Sequence, residues 1–486
     1  MKIYPTPDEV KKYADMGKYD VCPVSTEILS DFITPIEALR ILKKASTHAF
    51  LLESAKTKEE GGRFSFLGFE PKAEITYRDG ILNIGDKTLK TNNPKDEIRK
   101  LLTEFKSPGI KELPPFTGGL VGYFSFEFFS LNEEKAKADL KDEENFRDID
   151  LMLFDKIIAF DHARQKLIFI VNINLKNFET EYEEAKKTLA TLTNLLKTGE
   201  KDTDDTGRIK GEIMPLFSKD EFCKMVEKVK KYIYEGDIFQ AVLSNSLSAP
   251  FEGSLFNTYR RVRAINPSPY MFYFAGLDVE IAGASPETLT RLTNGELYTF
   301  PLAGTRKRGK TAEEDAAFEK ELLADEKELA EHDMLVDLGR NDLGKVSKFG
   351  TVKVVNLHTI ERFSHVMHIG SKVKGEIAEN FDALDAISAV LPAGTLSGAP
   401  KIRACQIIGE LEGKKRGIYG GAIGYIDFAG NMDTCIAIRI AYKKNGKVFV
   451  RSGAGIVADS VPEKEYEECL NKAKAMLSAL REEEDG

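Results

Sequence analysis

Tryptophan is absent from the 486 residues, although 16 Tyr and 30 Phe are present. By itself that absence excludes no class of protein. Cysteine is scarce and scattered: Cys22, Cys223, Cys405, Cys435 and Cys469 are odd in number and contain no Cys-x-x-Cys pair. That argues against a disulfide framework or a structural zinc site and for a reducing compartment. No apolar run approaches the roughly 18 residues that a spanning helix needs, so no membrane partner is expected. Basic charge is also in deficit. Sixty-nine Lys and Arg face 78 Asp and Glu, a net charge of −9, which argues against nucleic acid as a partner. Residues Met1-Lys-Ile-Tyr-Pro-Thr-Pro-Asp-Glu lack the apolar core of a signal peptide, and a cytoplasmic location is expected. No repeat of fixed period is found.

What is present is globular. Hydrophobic residues make up 42% and charged residues 30%, enough apolar material for a large core. The polar, glycine-containing stretch 197–212 reads as a linker between an N-terminal domain, 20–196, and a second domain, 213–481. Ser218-Lys-Asp-Glu221 reads as a capping box opening a helix to about Tyr234. Strand-like runs cover 118–126, 167–173, 270–275, 279–283, 288–292 and 296–300. Helices are expected over 311–343 and 462–481, the latter with Ser460 as cap and Pro462 in its first turn. Cys435–Tyr442 and Lys447–Ser452 read as strands joined through Asn445-Gly446, a tight-hairpin signal. On the first of these, alternation puts Arg439 on one face with Cys435 and Ala437. Strands cluster without regular βα alternation, so the expected class is α+β, with large antiparallel sheets and flanking helices.

Several motifs carry chemistry, each with a plainer alternative. Gly453-Ala-Gly455-Ile-Val-Ala458 matches a dinucleotide fingerprint, but its preceding strand belongs to a hairpin rather than a βαβ unit. Two readings remain: a glycine turn, or backbone N–H groups bared to an anion. Glu328 with Glu331, and Glu465 with Glu468, each share one helix face. Such pairs are either solvated surfaces or facing carboxylates able to hold Mg²⁺. Lys472, one turn beyond Glu468, is an i,i+4 partner or a substrate clamp. Four histidines, His332, His358, His365 and His368, fall close together. Arg362–Ile369 reads as a strand, which points His365 and His368 to opposite faces and argues against zinc. The basic loop Thr305–Lys310 either supports an anion site or is solvated.

Taken in order, these residues resemble the chorismate-utilising enzymes, and among them the anthranilate synthase component I group. The likeness rests on Leu51-Leu-Glu-Ser54, Gly62-Arg-Phe-Ser-Phe-Leu-Gly68, Asn266-Pro-Ser-Pro-Tyr-Met271 and Pro301-Leu-Ala-Gly-Thr-Arg306. It continues through Glu331-His-Asp-Met-Leu-Val-Asp-Leu338, Gly394-Thr-Leu-Ser-Gly-Ala-Pro-Lys401, Arg416-Gly-Ile-Tyr-Gly-Gly421 and Gly453-Ala-Gly455. The resemblance implies the family's sandwich of antiparallel sheets and a Mg²⁺-dependent conversion of chorismate and ammonia to anthranilate and pyruvate. It implies Glu331 and Glu468 as metal ligands, with Glu465 and Glu328 around them. Gly304, Thr305, Tyr419, Arg439, Gly453, Ala454, Gly455 and Lys472 would hold chorismate. His368 would be catalytic, Thr395 would lie in its pocket, and Glu328 is the candidate acid for loss of the C4 hydroxyl.

Two positions bear on the choice within the family. Aminodeoxychorismate synthases that use a lysine nucleophile carry it where this chain has Ala303. Isochorismate and salicylate synthases carry a base lysine where it has Gln240, and a neutral amide cannot deprotonate water. None of the five cysteines sits on a glycine-flanked nucleophile turn, so ammonia would come from a separate glutamine amidotransferase subunit in a hetero-oligomer. Ser54, Pro269, Tyr270 and Met271 match positions that bind L-tryptophan as feedback inhibitor; alternatively the prolines only set a turn. Aminodeoxychorismate synthase component I, or an amino-acid sensor that lost its chemistry, are the competing functions.

Overall fold

The computed structural model describes residues 2–55, 62–203, 207–363 and 366–481. Among them, two extended sheets of thirteen and twelve strands pack face to face. The named strand pairings are antiparallel, so the class expected from strand clustering is the one found.

The alternation of each strand feeds two layers. Phe50, Phe272 and Phe274 meet Val121, Phe154, Ile423 and Cys435 between the sheets. Their sequence neighbours Ala49, Leu51, Met271 and Tyr273 turn outward, under helices Pro35–Ala45, Phe178–Thr198, Phe256–Ile265 and Pro462–Leu480. The second sheet is covered by Pro94–Thr103 and Ala383–Val390. No helix among the described residues is long and apolar enough to cross a membrane.

Both sheets run across the segment boundary read from composition. Tyr270–Ala275 pairs with Ala49–Glu53 in one sheet, and Ala422–Asp427 pairs with Gly119–Phe124 in the other. The intervening stretch opens on the end of a helix at Thr198 and includes Arg208–Ile209, which pairs with Glu252 and Phe251. Residues 204–206 lie outside the described residues.

Local signals settle most boundaries. Ser218 accepts from Glu221 N–H while Glu221 accepts from Ser218 N–H, and the helix runs Lys219–Tyr234. Asn445 and Gly446 both have positive φ, 50° and 71°, the conformation a two-residue hairpin requires, and Lys444 pairs with Lys447.

Four expectations are corrected. The helix over 311–343 is two, Ala312–Leu323 and Glu326–Gly344, because Asp325 caps the second by accepting from Lys327 and Glu328 N–H. The cap of Pro462–Leu480 is Val461, and Ser460 instead accepts Val457 N–H. Arg362–Ile369 is not one strand: Arg362 ends Lys353–Arg362 and Val366 opens the antiparallel Val366–Glu376, with Glu361 opposite His368; Ser364 and His365 lie outside the described residues. Finally, Cys435–Tyr442 breaks: Met432–Ile436 belongs to one sheet and Ile440–Lys444 to the other. Arg439, at φ 53°, makes the crossing, so it does not share a strand face with Cys435.

A second crossing lies beside the first. Glu280–Ser285 is in one sheet and Thr288–Thr293 in the other, with Pro286 and Glu287 between them. The crossings are tied together by Ile436 N–H to Glu287 O, Ala284 N–H to Arg439 O, and Ser285 hydroxyl to Ile436 O at 2.7 Å. Glu287 and Arg439 thus stand outside both ladders, where the chain passes from one sheet to the other.

Candidate active site

On one side of the cleft, strand Leu302–Lys307 brings Gly304 and Thr305 to His368 on Val366–Glu376. His368 Nδ1 donates to Gly304 O at 2.8 Å and lies 3.1 Å from Thr305 Oγ1. A carbonyl only accepts, so Nδ1 carries the proton and Nε2 is left as the free base when the ring is neutral. Burial, with the charge of Arg439, lowers the His368 pKa and favours that neutral ring. Gly304 sits at φ 64°, and a Cβ there would come within 3.1 Å of Glu328 Oε2. Arg306 meets Glu321, Asp325 and Glu328, and Arg308 meets Asp315 and Phe363 O. The two arginines of the basic loop are therefore tied to neighbouring elements, while Lys307 and Lys310 are exposed.

The opposite wall is the pair Gln240–Glu252 and Lys447–Ile456, with Ser244 opposite Gly453 and Val242 opposite Gly455. The glycine motif lies in a strand, which removes both the turn and the dinucleotide readings. A Cβ on Gly453 would come 3.0 Å from Tyr419 Oη, and one on Gly455 2.6 Å from Gln240 Nε2. Ala454 departs from the expected set: its side chain alternates away into the cluster of Phe222, Ala404 and Ile408. Lys472 donates to Gly453 O at 3.0 Å and pairs with Glu468 at 2.6 Å.

The two glutamate helices bring Glu331 within electrostatic reach of Glu468. Glu331 is raised above its ordinary pKa by burial, then by Glu328 and Glu468, and Glu465 by burial and Glu468. Gln240 Nε2 lies 3.5 Å from Glu331 Oε1. Like charges crowded this way are what a divalent cation relieves. Among the described residues no three Asp, Glu, His or Cys side chains already converge as a metal-holding group. Glu331 and Glu468 would suit an ion held by two carboxylates and completed by other oxygens, as Mg²⁺ favours.

Two residues at the crossings complete the site. Arg439 has no carboxylate partner among the described residues, and burial lowers its pKa. Glu287, missed in the sequence, is 9% exposed and accepts the Thr395 hydroxyl at 3.0 Å. Burial pushes its pKa up to about 8, against the opposing pull of Thr395 and Lys472. The signal for it was a carboxylate set directly after Pro286, between two strand runs.

Behind this wall lies a buried ionic network. Glu412 accepts from Arg416, Arg451, and the N–H and hydroxyl of Ser244. Arg416, 1% exposed, also donates to Leu396 O and Val242 O. It ties the residue after Thr395 to strand Gln240–Glu252, while Arg451 joins the glycine strand to the same Glu412.

Ser54, Pro269, Tyr270 and Met271 line a separate cavity of about 790 Å³ between the two segments, together with Glu53, Arg291 and Tyr425. Tyr270 Oη lies 2.7 Å from Asp433 Oδ1 and 2.9 Å from Thr288 Oγ1. Thr288 is the residue after Glu287.

A family model described as chorismate binding enzyme matches residues 47–478. Anthranilate synthase component 1 of Acetivibrio thermocellus is 47% identical, over 99% of each chain. Among solved structures, anthranilate synthase component I from Streptococcus pneumoniae aligns with a TM-score of 0.77 at 39% identity, covering 86% of this chain and 92% of that one. The menaquinone-specific isochorismate synthase of Escherichia coli shares the fold, at 19% identity and a TM-score of 0.70 over 98% and 99% of the chains. On this match and this arrangement of residues, the chain belongs to the chorismate-binding enzyme family, in its anthranilate synthase component 1 branch.

Proposed function

We propose that the chain aminates chorismate at C2 with loss of the C4 hydroxyl as water, then eliminates pyruvate to release anthranilate. What supports this reading is a half-buried Arg439 with no carboxylate partner among the described residues, near a His368 whose Nδ1 is held by Gly304 O, and a buried Glu287 held by Thr395. Arg439, Lys472, Tyr419 and the backbone at Gly453 and Gly455 hold the enolpyruvyl carboxylate. Glu331 and Glu468, flanked by Glu328 and Glu465, would hold Mg²⁺. That ion supplies positive charge for the ring carboxylate in an otherwise acidic cleft.

The leaving hydroxyl needs a proton. Glu287 suits that task better than Glu328, because Glu328 is ion-paired with Arg306 and Glu287 forms no ion pair among the described residues. Thr395 orients the Glu287 carboxyl through its hydroxyl. The free Nε2 of His368 takes the C2 proton as the enolpyruvyl C–O bond breaks, and the departing enolate takes up a proton at its methylene carbon to become pyruvate. Ammonia is the nucleophile: Ala303 offers no amine, and Gln240 offers no base. Its source is a separate glutamine amidotransferase subunit, and L-tryptophan, the feedback inhibitor, occupies the cavity of Ser54 and Met271.

The test is direct. Purified chain with chorismate, Mg²⁺ and an ammonium salt is expected to develop anthranilate fluorescence, and with glutamine in place of ammonium to stay dark. Tryptophan should suppress the signal, and Met271→Ala should relieve the suppression. No anthranilate with ammonium would refute the activity, and turnover of glutamine by the chain alone would refute the two-subunit claim.

A further inference from the structure

Ser371 joins three parts of the site. Its Oγ lies 2.6 Å from His332 Nε2 and accepts His358 N–H at 3.1 Å, while its own N–H donates to Pro301 O at 3.0 Å. His332 follows Glu331 on helix Glu326–Gly344. Ser371 is three residues beyond His368 on its strand, and Pro301 precedes the strand that presents Gly304 and Thr305.

His332 is 0% exposed, and among the described residues its Nδ1 has no hydrogen-bond partner. Such a nitrogen is costly to bury, so an apolar side chain would pack there at less cost. The ring makes one hydrogen bond, and it runs from the helix of Glu328 and Glu331 to the strand of His368. We propose that His332 is a positioning residue: its bond to Ser371 fixes the rotation of the helix and so aims Glu331 at the cation site. Successive helical residues are about 100° apart, so a ring anchored at His332 sets the direction of its neighbour. The inference rests on Glu331 being a ligand to a divalent cation.

The geometry names its own controls. A Gln amide reaches to the level of Nε2 and can present either N or O to Ser371, whereas an Asn amide ends at the level of the unpartnered Nδ1. Mn²⁺ is the probe, titrated into the full chain while the electron paramagnetic resonance signal of free Mn²⁺ is followed. Alongside it, the Mg²⁺ dependence of anthranilate formation and the thermal midpoint are measured. H332N and S371A should weaken Mn²⁺ binding by about tenfold or more and raise half-saturating Mg²⁺ in parallel, while H332Q stays within about threefold of the parent. H332N binding Mn²⁺ as H332Q does, or a lowered thermal midpoint with unchanged Mn²⁺ affinity, overturns the positioning role. Should H332N not fold, S371A, which removes a single oxygen, decides alone. A parent chain that binds no Mn²⁺ and needs no Mg²⁺ overturns the Glu331 assignment instead, and the positioning role falls with it.

Discussion

In the proposed mechanism, Glu287 and His368 divide the acid and base work by environment. Burial raises Glu287 to about 8, so it holds a proton at neutral pH, and burial lowers His368 from 6.5, so it does not. The signs fix the profile: activity should climb through a value below 6.5 as His368 loses its proton, and fall near pH 8 as Glu287 loses its own. Glu287→Gln should cut kcat by roughly 10²–10⁴-fold and abolish the alkaline limb; a retained limb would assign it to another group. His368→Ala should stall elimination and accumulate the aminated, pyruvate-bearing intermediate, detectable by chromatography. Anthranilate released at the parent rate would exclude His368 from that step. That His368 lies against Gly304 and Thr305 was foreshadowed by the motif likeness. Glu287 was not, because a lone glutamate after a proline gives no periodic signal, and its character comes from burial.

Among the elements, the last hairpin and one helix start were legible because a few local residues decide them, whereas the start at Glu326 and the cap at Val461 were not. The deciding residues are Asn445-Gly446 and the Ser218–Glu221 box. The break at Ala437–Arg439 was hidden because Cys435–Tyr442 is continuously strand-like in composition; the positive φ of Arg439 is imposed by the passage between sheets. The Glu412 network likewise joins three elements distant in sequence. Its carboxylate would be raised by burial alone, but Arg416 and Arg451 outweigh that and hold it below its usual range. Removing one partner of a buried pair leaves the others unpaired, so Glu412→Gln should cost about 3–5 kcal/mol in a urea unfolding curve. A loss below about 1 kcal/mol, the range of an exposed pair, would show the network to be dispensable.

At the scale of the molecule, composition suggested two domains and a linker. What it could not show is that each sheet is completed by strands from both segments. Residues 213–481 alone would expose the edge of Tyr270–Ala275 that pairs with Ala49–Glu53, and the inter-sheet face where Phe272 and Phe274 meet Val121 and Phe154. Expressed by itself, that segment should aggregate or lack a cooperative thermal transition, and co-expression with residues 1–212 should rescue it. A soluble, cooperatively melting 213–481 would show two independent folding units.

The cavity lined by Ser54 and Met271 also has an optical consequence. Its walls, like the rest of the chain, contain no indole. An indole-bearing ligand seated there would be the only indole emitter in a solution of this protein. Its spectrum, anisotropy and lifetime would then report the polarity and rigidity of that pocket against a background of tyrosine alone.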